Sequence, residues 1–445
     1  MVLAKKQVAL LLGTFLVTAY VFVQEAELPR TSEPRVLTVD NAVQQALDGN
    51  INIKKDSIVL AAAKRAKVYS WNSIGPTLTG SAQYSKTLPG QESAGAASNA
   101  GRISLTASLG VKLVPSLYTS VRDAALSYQK AEIDYDTAVR TIELSVRKGF
   151  YSILNEQNKI SLYEKKAASA KSQYETNLAK YNRGALSRLD VLTAQVSWQN
   201  AQFTLESASS SLQNTLALFK QTLGIPQEEP VSFEGSLKDM LNLSTIDVQD
   251  VEARSPTIAS LQAQLEIAKN SLLASRFTAY GPTLSAGYSY SFQTTTESGS
   301  DWNNVGTVSL GATISLDGLL PWSNGAQGIA ARKDAIRTAQ LQLDDARTTL
   351  QVGIQNGLNK IKQSQDNIKL LRSSVDLARQ SYAMTQEAYT RGTRDLLTLQ
   401  TAEDKLYEAE INLSSEAYNL ISAILDLENT VGAPFGSLID KGDSQ

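Results

Sequence analysis

Two short tags carry the residues of this chain best placed for specific chemistry: Tyr181-Asn182-Arg183-Gly184 and Tyr389-Thr390-Arg391-Gly392. Gly184 and Gly392 permit a tight turn between helices. Tyr181 and Tyr389 can each place a hydroxyl on a neighbouring coil, and Arg391 and Arg394 can pair with carboxylates across chains. Asp190 and Asp395 lie just beyond the tags, where each can cap a helix or supply a first-turn charge. Repeated by symmetry, either could instead form a ring of carboxylates. All of this is hydrogen bonding and ion pairing, not bond making. The chain has no His and no Cys, which removes the commonest general base, thiolate ligands, disulfides and cysteine nucleophiles. It holds no Gly-x-x-x-x-Gly-Lys phosphate loop and no paired carboxylates in an evident pocket-forming segment. A net charge of -2 argues against a nucleic-acid partner. No catalytic residue, cofactor or metal site is expected.

The tags belong to a larger repetition. Gly75-Pro76-Thr77-Leu78-Thr79 returns as Gly281-Pro282-Thr283-Leu284-Ser285. A repeat this long is a duplicated half-protein, not a solenoid unit. The first copy, residues 38–224, opens with a helix from Thr38 to Trp71, with Asn50-Ile51 as a break. Strands are predicted at 76–86 and 102–114, then helices from Val121 to Tyr181 and from Leu186 to Leu223. The second copy, 251–431, repeats the order with strands at 282–293 and 306–317, and helices from Ala326 to Tyr389 and from Asp395 to Val431. Within the strands the period is two. Leu78, Gly80, Ala82 and Tyr84 share one face, as do Ile103, Leu105, Ala107, Leu109, Val111 and Leu113. Leu284, Ala286, Tyr288, Tyr290 and Phe292 do the same, then Val308, Leu310, Ala312, Ile314 and Leu316. Thr, Ser, Gly and Gln dominate the opposite faces. The insertion 225–250 and the tail 432–445 break the pattern, and are expected to pack together outside the helices.

The N-terminus reads as a signal peptide over 1–26, followed by a leader, 27–37: Lys5 and Lys6 precede an apolar run from Val8 to Val23. Past that run no stretch reaches the ~18 apolar residues of a spanning helix, so any membrane crossing must use strands. Strands of roughly ten residues with one apolar face suit that task. Tyr and Trp, 17 and 4, outnumber the 9 Phe, and Tyr84, Tyr288, Tyr290, Phe292, Trp302 and Trp322 fall in or near strand ends, as an interfacial aromatic belt would. Four strands cannot close a barrel, and open edges are prohibitive in hydrocarbon. The chain must therefore share a barrel with copies of itself; the pattern leaves dimer, trimer and tetramer open. The competing reading is a non-conducting, surface-exposed structural or adhesive helical protein, against which the matched helical turns argue.

With these features in hand, the chain resembles the TolC-like outer-membrane efflux proteins over nearly its whole mature length. The resemblance rests on the duplication, on Gly75-Pro76 and Gly281-Pro282 at the helix-to-strand junctions, and on Tyr-x-x-Gly at both helical turns. Tyr389-Thr390-Arg391-Gly392-Thr393-Arg394-Asp395-Leu396-Leu397 is close to the family's characteristic form. The resemblance implies a mixed architecture, an all-α tunnel plus a transmembrane β-barrel, in which a homotrimer contributes four strands per chain to a shared twelve-stranded barrel. It implies a passive, gated exit duct in the bacterial outer membrane, extending through the periplasm. A periplasmic adaptor (membrane fusion) protein and an inner-membrane pump would meet its tip, for tripartite efflux or type I secretion. It places the gate at the tips, Tyr181 to Leu192 and Tyr389 to Thr401, with Arg394 at the position of a family gate arginine. The family's acidic pair just past the second turn falls here on Thr398 and Thr401, so cation binding does not carry over.

Overall fold

The computed structural model describes residues 35–86, 101–237, 255–295 and 302–438. The signal peptide and most of the leader lie outside them. The chain opens with strand β1 (Arg35–Leu37), helix α1 (Val39–Gly49) and helix α2 (Ile51–Val68). A 3-10 turn, Ser70–Ile74, leads into strands β2 (Thr77–Ser85) and β3 (Arg102–Leu113). Helix α3 (Ser116–Asn182) has 67 residues, about 100 Å at ~1.5 Å per residue. It turns into α4 (Arg188–Leu223), and a short strand β4 (Val231–Phe233) follows. The second half gives α5 (Pro256–Tyr280), β5 (Pro282–Thr295), β6 (Asn303–Ile314), α6 (Asn324–Thr390) and α7 (Leu396–Val431). Among the described residues, no helix is long and apolar enough to cross a membrane.

The helices line up in two tiers. Helix α3 packs on α2 and α5 in one tier and on α4 and α7 in the other, while α6 packs on α5 and then on α7. The tiers meet where α1 abuts α4. There Gly224 ends α4 in a left-handed conformation, φ 70°, and a Cβ on it would lie 2.5 Å from the carbonyl oxygen of Gly49. Only glycine allows that backbone-on-backbone approach. Asn50 fixes the same junction. Its Oδ1 accepts from the amides of Asn52 and Ile53 at 2.8 and 3.4 Å, capping α2, and its Nδ2 donates to the Thr222 carbonyl at 2.7 Å. The break expected at Asn50-Ile51 is thus a cap tied to α4. Asn50→Ala should lower stability by about 1–2 kcal/mol, measured by urea unfolding. Asn50→Asp, which keeps the cap and loses the donor, should recover part of that.

The main apolar cluster lies at this level. Val146, Phe150, Ile153 and Leu154 of α3 meet Ala42 and Ala46 of α1, Phe219 and Leu223 of α4, and Ile421 and Leu425 of α7. Each large side chain so buried contributes roughly 1.5–3 kcal/mol. The insertion and the tail cover it. Strand β4 pairs in parallel with β1, Val231 opposite Arg35, so the insertion's strand joins the leader. Phe233 of the insertion and Phe435 of the tail pack on the same cluster, and Arg140 donates to the carbonyls of Glu428 and Ala433, pinning the start of the tail.

Strands β2, β3, β5 and β6 form one antiparallel sheet in that order. Its register brings the apolar faces of all four into line. One row reads Leu78, Leu109, Tyr288, Val308; the next reads Gly80, Ala107, Tyr290, Gly306. The opposite face is small and polar, with rows such as Thr79, Ser108, Ser289, Thr307. Hydroxyls of that face bridge strands, Thr79 to Ser108 at 2.8 Å and Thr106 to Ser291 at 3.1 Å. A one-residue slip in any strand would put hydroxyls on the apolar face. Strand β6 begins and ends three residues before the stretch expected for it, because Asp317–Leu319 forms a 3-10 turn. Among the described residues, the edges of the sheet, β2 and β6, have no further strand beside them.

Candidate functional site

Both helical turns close in the same way. Gly184 and Gly392 adopt left-handed backbone, φ 74° and 75°. The Gly184 amide donates to the Tyr181 carbonyl at 2.8 Å and the Ala185 amide to Lys180 at 2.9 Å; Gly392 and Thr393 donate to Tyr389 and Ala388, both at 2.9 Å. This is a Schellman end at each tip. The next helix is then capped. Ser187 accepts from the Asp190 amide at 3.2 Å and donates to the Asp190 carboxylate at 2.7 Å. Asp395 is itself the cap of α7, accepting from the Thr398 amide at 2.9 Å and from the Thr398 hydroxyl. Those two bonds hold the Asp395 carboxyl below its ordinary value, the side-chain bond contributing most. Both aspartates therefore have local work at helix N-termini.

The tyrosines differ. Tyr389 crosses from α6 to α3 and donates to Asn177 Oδ1 at 3.1 Å. Asn177 is 1 % exposed, and its Nδ2 has no partner. Lys180 sits over the Tyr389 ring at 5.4 Å. Burial raises the Tyr389 phenol, the bond with Asn177 pulls it back, and the nearby Asp190 charge raises it again. Tyr181 is exposed at the first tip. Arg391 pairs with Glu387 of its own helix. Arg394 is exposed beside Asp395, which its charge helps to keep ionised.

Above the tips, the seam between α3 and α7 holds a buried carboxylate that sequence inspection passed over. Glu403 is 5 % exposed. Its Oε2 accepts from Gln173 of α3 at 3.1 Å, while Oε1 and the nearby Gln400 Nε2 lack partners. Burial raises the Glu403 carboxyl, and Ser169, Gln173 and Lys166 draw it down. Tyr382 of α6 and Tyr407 of α7 have phenols raised by burial and by the Glu403 charge. Lys166 pairs with Asp404 at 2.6 Å on the outside of this cluster.

At the sheet end, Gly75 donates to Asn72 and Gly281 to Phe277, closing the 3-10 turn and α5 before Pro76 leads into β2 and Pro282 starts β5. A Cβ on Gly281 would lie 2.3 Å from the Phe277 carbonyl oxygen. Tyr84, Phe292 and Trp302 are exposed towards the far end of the sheet; Tyr290 stacks edge-on with Phe292 and accepts from Asn304 at 2.8 Å. Tyr288 lies at mid-sheet, opposite Leu109 and Val308. Trp322 is exposed at the helical end, beside the start of α6, where Trp71, Tyr118 and Tyr280 add exposed rings not singled out from the sequence.

Residues 42–224 and 248–433 each match the family described as outer membrane efflux protein. The two matches follow the two halves of the duplication. The chain is 21% identical over 406 residues to outer membrane protein TolC of Escherichia coli, covering 87% of this chain and 81% of that protein. It is 26% identical over 295 residues to alkaline protease secretion protein AprF of Pseudomonas aeruginosa, covering 63% and 60%. Among solved structures, the Campylobacter jejuni CmeC outer membrane channel superposes with a TM-score of 0.75 at 18% identity, covering 88% of this chain and 85% of that one. The family matches cover most of the chain, so it belongs to the outer membrane efflux protein family, TolC-like and resident in the outer membrane.

Proposed function

We propose that the chain forms a passive, gated exit duct that crosses the outer membrane and runs through the periplasm, built as a homotrimer. The observation that carries this reading is the four-stranded sheet, with one continuous apolar face, one small polar face and two edges that have no partner strand among the described residues. Lipid requires every backbone group to be satisfied and every edge closed. Joining β6 of one protomer to β2 of the next does both, and three protomers make a twelve-stranded barrel with a hydroxyl-lined lumen. The long helices α3 and α6, with their partners, extend that lumen as a tunnel to the tips. An inner-membrane pump and a periplasmic adaptor supply drive and cargo, and Arg394, Tyr389 and the two turns hold the closed tip. Relatives of this kind include channels and a protease secretion protein, so small-molecule efflux and type I secretion both fit the same duct.

The test is planar-bilayer conductance of the purified protein, with its oligomeric mass measured in the same detergent. A trimer giving small, stable channels supports the duct. A monomer that never inserts into lipid supports the structural or adhesive alternative. Spin labels then check the register: those at Tyr288 and Leu310 should contact lipid, and those at Ser289 and Ser309 water. Equal lipid exposure at all four sites would sink the barrel.

A further inference from the structure

The charge of the sheet is one-sided. Its four strands contain no acidic residue, and their only charged side chains are Arg102 and Lys112 of β3. Both lie on the polar face. Arg102 stands opposite Ser85 and Thr295, and Lys112 opposite Ser285. Both are exposed, and neither makes an ion pair among the described residues. Ten residues separate them, about 33 Å along a strand, so they mark the two ends of the wall.

The tips lean the same way. Residues 180–190 and 387–395 hold five cations, Lys180, Arg183, Arg188, Arg391 and Arg394, against three carboxylates, Asp190, Glu387 and Asp395. The carboxylates are engaged locally: Asp190 with Ser187, Asp395 as a cap and Glu387 with Arg391. Arg183 and Arg188 are exposed and, among the described residues, have no carboxylate partner. Exposed cations at the tip and on the strand wall, without carboxylate partners among the described residues and with no acidic side chain on the four strands, favour a positive potential at those two places.

We propose that this duct favours anions, its selectivity set by Lys112 on the strand wall and by Arg183 and Arg188 at the tip. The inference rests on the duct reading above and adds a substrate class to it: negatively charged solutes pass more readily than cations of the same size. Such a field fades over a Debye length, about 10 Å at 0.1 M salt and about 30 Å at 0.01 M. In a wide barrel the preference is therefore largest in dilute salt, and it is strongest for the tip residues wherever the path is narrow.

The experiment is the zero-current potential of the reconstituted trimer across a potassium chloride gradient, roughly 0.1 M against 0.01 M. The expected sign is that of chloride preference. Lys112→Glu should lower the chloride-to-potassium permeability ratio by about twofold or more, and Arg183→Gln with Arg188→Gln should do so by a larger factor. Lys112→Gln serves if the acidic variant fails to insert; Lys112 is the better probe because Glu92, in the segment that leads to Arg102, and Glu297 and Asp301, in the segment that follows its partner Thr295, lie outside the described residues. Conducting channels that prefer potassium, or that show no preference in dilute salt, overturn the proposal and leave the duct standing. Absence of any conductance removes the duct and the selectivity together.

Discussion

Tyr389→Phe is expected to raise the open fraction of the duct by tenfold or more. The hydroxyl it removes makes a side-chain hydrogen bond between the tip of α6 and the tip of α3, reaching Asn177 at 3.1 Å. Asn177 is buried and its Nδ2 is already without a partner. Without the phenol, its Oδ1 is stranded too, in a place water does not reach. An orphaned buried polar group costs about 1–3 kcal/mol, and every ~1.4 kcal/mol is a factor of ten in an equilibrium. In the proposed trimer the loss occurs three times. The closed tip bears that cost; an open tip that exposes Asn177 to water does not. Arg394→Ala should open the duct less, because an exposed charge is worth only about 0–1 kcal/mol. Single-channel recording separates the two. An unchanged open fraction in Tyr389→Phe would take this tyrosine out of the gate.

The parts of this molecule written in a periodic code could be read before any coordinates. Strict alternation placed the four strands and their apolar face, because a one-residue error would have reversed every side chain. Uninterrupted helical spacing placed the long helices, and Gly184, Gly392 and the Gly-Pro pairs marked their ends. Local caps were readable too, though less decisively. Ser187 three residues before Asp190, and Glu387 four residues before Arg391, are spacings that favour contacts within one helix. Those contacts hold Asp190 and Arg391, for which a carboxylate ring and a cross-chain pair had been alternatives. What could not be read are meetings between distant segments. Strands β1 and β4 have three residues each, too few to show a period. Asn177, Gln400 and Glu403 look like ordinary polar positions on helical surfaces. Only the packing of α3 against α7 and α6 buries them, and no spacing along one helix announces that.

Glu403 gives the second large effect, with a sign that can be worked out. Its carboxyl is raised, first by burial and also by the neighbouring Asp404, against the pull of Ser169, Gln173 and Lys166. A raised value means that the packed seam holds a proton more tightly than the separated one. The stability this proton confers is therefore full below the ordinary carboxylate value and is lost as pH rises through the raised one. Above that raised value the seam must hold a charged Glu403 whose Oε1 has no hydrogen-bond partner. The other charged groups around it, Lys166 on α3 and Asp404 on α7, already engage each other at 2.6 Å, so neither is free to neutralise it. Glu403→Gln keeps the shape and the acceptor for Gln173 and removes the charge. Above the raised Glu403 value it should stabilise the protein by an amount on the order of 1–3 kcal/mol per chain. The advantage should shrink as pH falls, and vanish where the wild-type carboxyl is protonated in both states. Glu428 is raised by burial as well and gives both proteins a similar trend, so the quantity to measure is the difference between variant and wild type across pH. Thermal unfolding at several pH values provides it. A difference that stays constant from neutral to acid pH would mean that the buried carboxylate does not titrate with the seam. Because a seam loosened by charge is also easier to part, Glu403→Gln should lower the open fraction that Tyr389→Phe raises. Both residues act on the contact between α3 and its neighbours from the second half of the chain, so the double variant should fall between the two.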